Sequence, residues 1–284
     1  MPHLLPDRSW LWIAALSYAA AFLSATISMA RHRKRPRGLL FALMGLGLIS
    51  QTLGLQQRGL ADGGCPIQNT FEIVQFVIWS FTVLYAIVGT AFRVSALGYF
   101  TSGLAAVLSL ASLLFRNWDA TVVRPAFGGN PWIEAHASLA LFAYGAFGTL
   151  ALTSLMFLLQ TFSLKRKRLR GVFSLLPPIV ALESINFRLL LTGLSVLSGS
   201  ILVAALHARE PNTAGKIDLL ILCGVWLCYL AVLVLRLRRK LVARGLAWAC
   251  VSLFGLALLS LSVIESHRQS SKNPADVTAT IIAP

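Results

Sequence analysis

Three histidines carry the richest chemistry in this chain: His136, His207 and His267. A neutral imidazole offers one ring nitrogen as a metal ligand, and two imidazoles from separate segments can clamp one iron from opposite sides. Each taken alone is more simply a solvated polar side chain. Together they stand out because Gln51, Gln75, Trp79, Trp118 and Trp132 fall near the same ends of the apolar segments. Other chemistry is thinly supported. Cys65, Cys223, Cys228 and Cys250 are scattered with no CxxC, so neither thiol exchange nor structural zinc is indicated. No serine, cysteine or pair of acids has the context of a nucleophile or acid–base couple, so the chain is expected to ligate and position and not to be an enzyme.

The elements that must bring these residues together are apolar and long. Eight stretches are each about long enough to cross a bilayer: Trp10 to Ala30, Gly38 to Leu55, Ile73 to Phe92, Ser95 to Phe115, Ile133 to Gln160, Leu189 to Leu206, Leu219 to Leu235 and Leu246 to Ile264. Composition agrees, with 57% hydrophobic residues and only 12% charged, about half the charge of an ordinary soluble domain. The expected fold is therefore an all-α integral membrane protein of eight transmembrane helices. Residues 1–267 read as a single multi-pass domain and 268–284 as a polar, disordered extracytoplasmic tail.

The net charge of +15 would suit nucleic acid, but its placement argues for topology. Arg31 to Arg37, Arg93, Lys165 to Arg170 and Arg236 to Arg244 follow the first, third, fifth and seventh spans, and with Arg188 that face holds 17 of the 25 Lys and Arg. Basic residues stay on the cytoplasmic side, which puts both termini outside and lets these loops touch anionic lipid head groups. The runs abut spans without aromatic interleaving, so nucleic acid is not a partner. The first span lacks a basic leader and a cleavage site, and reads as a retained helix.

All ten acids and all five histidines fall in loops or at helix ends, which argues against a proton-coupled pump or a transporter with a charged midplane site. The segment from Leu175 to Phe187 has apolar positions 175, 179, 182 and 185 on one face behind Pro177 and Pro178, and reads as an interfacial cytoplasmic helix before span six. Gly145, Thr149 and Thr153 on span five, and Ser195 with Gly199 on span six, form small-residue ridges suited to close helix packing.

Three stretches in order resemble the cytochrome c assembly family of membrane proteins, the CcsA and HemX type. They are Gly64-Cys65-Pro66-Ile67-Gln68-Asn69-Thr70-Phe71-Glu72 continuing to Trp79, Asn130-Pro131-Trp132-Ile133-Glu134-Ala135-His136 continuing to Tyr144, and Leu176-Pro177-Pro178 with Ala181, Leu182, Glu183, Asn186 and Arg188. The resemblance covers nearly the whole chain to His267. It implies a multi-pass protein of the bacterial cell (inner) membrane, working with other cytochrome c assembly proteins or a haem-synthesis enzyme.

Haem-transporting members of that family are similar to one another in two outward histidines, two intramembrane histidines and a tryptophan-rich outer loop. By resemblance His136 falls on the first outer histidine and His267 on the second, with His207 in reserve and Trp79 and Trp132 flanking a haem at the outer face. Tyr85 stands where one intramembrane histidine would be, and apolar residues near Val234 at the other. The connection from His207 to Asp218 holds no tryptophan. These departures point to the HemX-like branch, and leave two readings: an assembly factor holding haem at its outer face, or a scaffold or regulator that binds none. A transporter of a small apolar solute is the weakest alternative, for want of a midplane polar site.

The charge pattern makes a direct prediction. Reporter fusions after Arg35, Arg168 and Arg239 should report the cytoplasm, and fusions at Asp62, Asp119, Asn212 and the C-terminus the outer side. A cytoplasmic C-terminus would break the eight-span topology.

Overall fold

A computed structural model describes residues 6–31, 37–92, 95–119, 130–165, 178–207 and 213–270. Within them the chain is helical, with no strand: α1 (Asp7–Ala30), α2 (Arg37–Asp62), α3 (Thr70–Phe92), α4 (Ser95–Leu114), α5 (Pro131–Lys165), α6 (Ile179–His207), α7 (Thr213–Leu237) and α8 (Ala243–Ser270), with a single 3-10 turn at Arg116–Trp118. Hydrocarbon offers the backbone no hydrogen-bond partner, so a helix, which satisfies its own N–H and C=O groups, is the form an apolar segment takes there. Seven of these helices are long and apolar enough to cross a bilayer, and α8 contributes a shorter apolar stretch, Ala243–Leu258. The chain is a multi-pass membrane protein.

Local chemistry sets the ends. Asn69 Oδ1 accepts the Glu72 N–H at 2.9 Å while the Glu72 carboxylate accepts the Gln68 N–H at 2.7 Å, a capping arrangement that starts α3. Asn130 caps α5 by accepting the Trp132 N–H at 3.0 Å, with Pro131 at the first helical position. Gly63, at φ +68, is the left-handed residue that ends α2.

Packing centres on α5. α1 to α4 form one group around α1–α2, α1–α4, α2–α3 and α3–α4 contacts, α6 to α8 gather around α5, and the α3–α5 contact joins the two sets. Of the seven long apolar helices, α5 is the most buried, at 78% of its apolar stretch, and α7 the least, at 22%, so α5 is the post of the bundle. Glycines permit the close approaches. A Cβ on Gly145 would stand 2.4 Å from Ser80 Cβ, and one on Gly193 would stand 2.5 Å from the Phe147 ring. The Gly145, Thr149 and Thr153 ridge thus packs inward as its spacing predicts, with both threonine hydroxyls bonded back to the carbonyl four residues earlier.

Three expectations are corrected. Ile179–His207 is one uninterrupted helix, so the proposed interfacial segment is, from Ile179 onward, the first turns of α6; Leu175 to Pro177 lie outside the described residues. The reason is that Leu182, Ile185 and Leu189 continue one apolar stripe into the core and are buried there among the other helices. On α6 the Ser195–Gly199 ridge makes no close contact: Ser195 is exposed and nothing stands within 4 Å of a Cβ on Gly199, because Gly193 and Ser200 face α5 instead. Gln51 is fully buried and not at an outer surface, since α2 runs on to Asp62 and leaves it about 16 Å along the axis from that end.

These contacts predict an asymmetry between two glycines. Gly145→Ala forces α3 off α5 and should cost about 1–3 kcal/mol, the usual range for an overpacked core. Gly199→Ala, with open space, should be neutral. Thermal unfolding of the two purified variants in detergent checks this, and equal melting temperatures would contradict the α3–α5 contact.

Candidate functional site

His136 lies one and a half turns into α5, on the flank that meets α6. Its Nδ1 is 2.8 Å from the Ser200 backbone oxygen and 2.9 Å from Ser200 Oγ, while Ser200 Oγ donates to the His136 carbonyl at 2.8 Å. A backbone carbonyl can only accept, so Nδ1 bears a hydrogen, and the tautomer this selects has its lone pair on Nε2. A ring N–H held by a backbone carbonyl is the usual support of a metal-ligating histidine, because it fixes both tautomer and ring orientation. Ser200 is fully buried, so the support is rigid.

Of the other expected site residues, Trp132 is brought close and Trp79 is not. Trp132 is four residues before His136 and so one turn outward on the same face, half exposed at 50%. Trp79 is on the opposite flank: its Nε1 donates to Thr52 Oγ1 at 2.9 Å, and its ring meets Phe142 edge-on at 6.1 Å and Phe76 at 5.5 Å. Phe142 is about 9 Å deeper than His136 along α5 and roughly 120° round the helix, so Trp79 belongs to the α2–α3–α5 wall. His207 and His267 stand at the ends of α6 and α8, and their side chains lie outside the described residues. Among the described residues no three His, Cys, Asp or Glu side chains gather as a metal cluster. Tyr85 is buried, stacked at 5.5 Å on Phe41, with its hydroxyl 2.5 Å from where a Cβ on Gly98 would be. Val234 is 38% exposed on α7.

A second polar centre, on the same side as His136, escaped the sequence reading. Arg58 Nε donates to Asp7 Oδ2 at 2.6 Å, Nη1 to Glu72 Oε1 at 3.2 Å, and Nη2 lies 2.9 and 3.0 Å from the two Asp119 oxygens. Its guanidinium sits 4.6 Å from the centroid of the Phe71 ring, and Arg8 adds an ion pair to Asp119 at 3.5 Å. One side chain of α2 thereby ties the start of α1, the first turn of α3 and the segment after α4. Beneath it runs a buried neutral chain: Tyr18 Oη donates to Gln51 Oε1 at 2.8 Å, Gln51 Nε2 to Gln75 Oε1 at 2.8 Å, and Gln75 Nε2 to Ser112 Oγ at 2.9 Å. The signal was present as spacing: Gln51 and Arg58 are seven apart on α2, Glu72 and Gln75 three apart on α3, so each pair shares a face.

The loop between α2 and α3 is fastened to α5 by Glu134, which accepts the Cys65 N–H at 3.0 Å. Burial, and then the negative charges of Glu134 and Glu72, push the Cys65 thiol up to about 11. The protonated thiol is thereby favoured at neutral pH, which makes it a weaker nucleophile than a free cysteine.

Comparison with known proteins adds a lineage. The family described as "Cytochrome C assembly protein" matches residues 67–267. Protein HemX of Brevibacillus brevis is 25% identical over 206 residues, which cover 72% of this chain and 75% of that protein. Protein HemX of Bacillus subtilis (strain 168) is 24% identical over 155 residues, 53% of this chain and 55% of that protein. The cytochrome c biogenesis protein CcsA of Mesostigma viride is 26% identical over 109 residues, 37% of this chain and 35% of that protein.

The ionic centre yields the prediction of this section. Arg58→Met removes the cation that Nη1 brings to Glu72, only 3% exposed, and should cost about 3–5 kcal/mol, as breaking a buried pair does. Arg58→Met with Glu72→Gln should recover part of that loss. Thermal unfolding checks both, and a double variant no more stable than Arg58→Met would show that the Glu72 charge is not what Arg58 answers.

Proposed function

This chain belongs to the cytochrome c assembly protein family, and from that premise we propose that it serves c-type cytochrome assembly or haem handling in a bacterial inner membrane, with haem held at the extracytoplasmic face. It does so as an eight-span protein with both termini outside and residues 1–267 as one domain. The observation that carries the reading is the Nδ1–H of His136 held by the Ser200 carbonyl, which leaves Nε2 as the nitrogen that would ligate a haem iron. The donor set fits haem at this one position. His267 is the proposed second ligand and His207 the reserve, with Trp132 one turn outward of His136 to cover a face of the macrocycle.

Haem at this place would be the cargo, gripped through its iron by imidazole. The protein's own groups do the rest: Ser200 orients the imidazole, Glu134 pins the neighbouring loop to the same helix, and the Arg58 centre holds the outer ends of α1 to α4 together. Partners are the lipid bilayer and other assembly proteins or a haem-synthesis enzyme. The second reading, a scaffold or regulator without haem, draws its support from Tyr85, an aromatic packed into core where a haem-carrying relative would place a histidine.

An absorption spectrum of protein purified from haem-replete cells separates the two. Ligation predicts a Soret band that is lost in both His136→Ala and His267→Ala and restored by added imidazole, whereas Tyr85→Phe leaves it unchanged. Wild-type protein without Soret absorbance, whose deletion still lowers cytochrome c or haem levels, would reject ligation and leave the scaffold.

A further inference from the structure

The turn joining α7 to α8 carries Arg236, Arg238, Arg239, Lys240 and Arg244 within nine residues, and no acid occurs between positions 219 and 264. One of these cations is engaged internally. Arg236 pairs through Nη2 with Glu183 on α6 and donates through Nη1 to the Leu241 carbonyl at 3.1 Å. The turn is closed by the Lys240 and Leu241 N–H groups, which both donate to the Leu235 carbonyl at 3.0 and 3.2 Å, with Arg239 in the left-handed region at φ 55. Arg238, Arg239, Lys240 and Arg244 are all exposed, displayed from a fixed backbone.

Two apolar side chains flank them. Leu237 is 62% and Val242 73% exposed, which marks the level where the turn meets hydrocarbon. A soluble acidic partner would match the cations and leave these two side chains unserved; a lipid with a charged head and acyl chains matches both. Of the seven long apolar helices α7 has the least protein around it, with 22% of its apolar stretch buried, which leaves most of its surface open to lipid.

We propose that the α7–α8 turn binds an anionic phospholipid in the leaflet it reaches, with Arg238, Arg239, Lys240 and Arg244 around the headgroup phosphate and Leu237 and Val242 against its chains. The site fastens the inner end of α7 to α8, supplementing the Arg236–Glu183 pair. Each basic group near an anionic surface contributes about a fivefold gain in affinity, and arginine's planar fork suits phosphate. Orientation during insertion needs only the positive charge; lipid binding also needs the turn's exposed, acid-free arrangement.

Full-length protein in a neutral detergent would be titrated with phosphatidylglycerol or phosphatidylcholine, reading melting temperature against lipid concentration. Phosphatidylglycerol should stabilise and phosphatidylcholine should not, with the difference shrinking as salt is raised. R238Q/R239Q/K240Q/R244Q should abolish the preference. Should that variant fail to insert, R239Q and R244Q alone should each weaken the phosphatidylglycerol midpoint about fivefold, while R239K retains most of it. Equal response to the two lipids, or an unchanged preference in the variants, overturns the site. Stabilisation by inorganic phosphate alone, or by polyglutamate in place of lipid, overturns the lipid as its occupant.

Discussion

The main contact between the two halves of this bundle, among the described residues, is that of α3 with α5. α5 touches α3 on one side and α6 and α8 on others, and no side chain larger than hydrogen fits at Gly145 where it crosses Ser80. Lipid tails are as apolar as the side chains they would replace, so helices in a bilayer gain from associating only where packing is close or polar groups meet. α5 supplies both. Ala143, Ala146, Phe147 and Leu150 fill its buried face, Phe147 stacks on Tyr229 at 3.8 Å, and His136 and Ser200 close the α6 side with hydrogen bonds.

The same helix that organises the fold therefore carries the candidate ligand, and this has a mechanical consequence. Glu134 and His136 are two residues apart and point to different neighbours, one to the α2–α3 loop and the other to α6. A ligand on His136 Nε2 bears on a ring whose other nitrogen is fixed to a buried serine in the best-packed pair of helices. The imidazole cannot rotate without breaking its bond to the Ser200 carbonyl, so the geometry offered to a metal is set before it arrives.

The helices were legible because hydrophobicity over a bilayer's thickness is a strong signal, and the inward ridge at Gly145 because its spacing is unambiguous. What escaped reading has identifiable physical causes. α2 was ended at Leu55, at the onset of Gln56, Gln57 and Arg58, yet it continues to Asp62 because Arg58 meets three carboxylates and need not reach water. The turns from Ile179 to Phe187 were read as a surface helix from an amphipathic pattern that a bundle helix also shows near its end, and the burial of Leu182 and Ile185 distinguishes the two. Trp79 and His136 both lie toward one membrane face, which sequence can tell; that they sit on different flanks of α5 depends on rotation about the axis and on which neighbour each flank meets. Ser200, one serine among several on α6, had no signal at all.

Tyr85 bears on where a haem could reside. Its ring is stacked on Phe41 and lies against Gly89 and Gly98, where a Cβ on the first would come within 2.8 Å of the ring and one on the second within 2.5 Å of the hydroxyl. A macrocycle entering there would have to displace a fully packed aromatic and separate α3 from α4, at the cost of a large core disruption. The outer end of α5 asks for no such change, since Trp132 is half exposed and the Nε2 lone pair of His136 is not used by Ser200. The hydrogen bonds that orient His136 also join α5 to α6, so this residue serves the packing of the bundle whatever meets its Nε2.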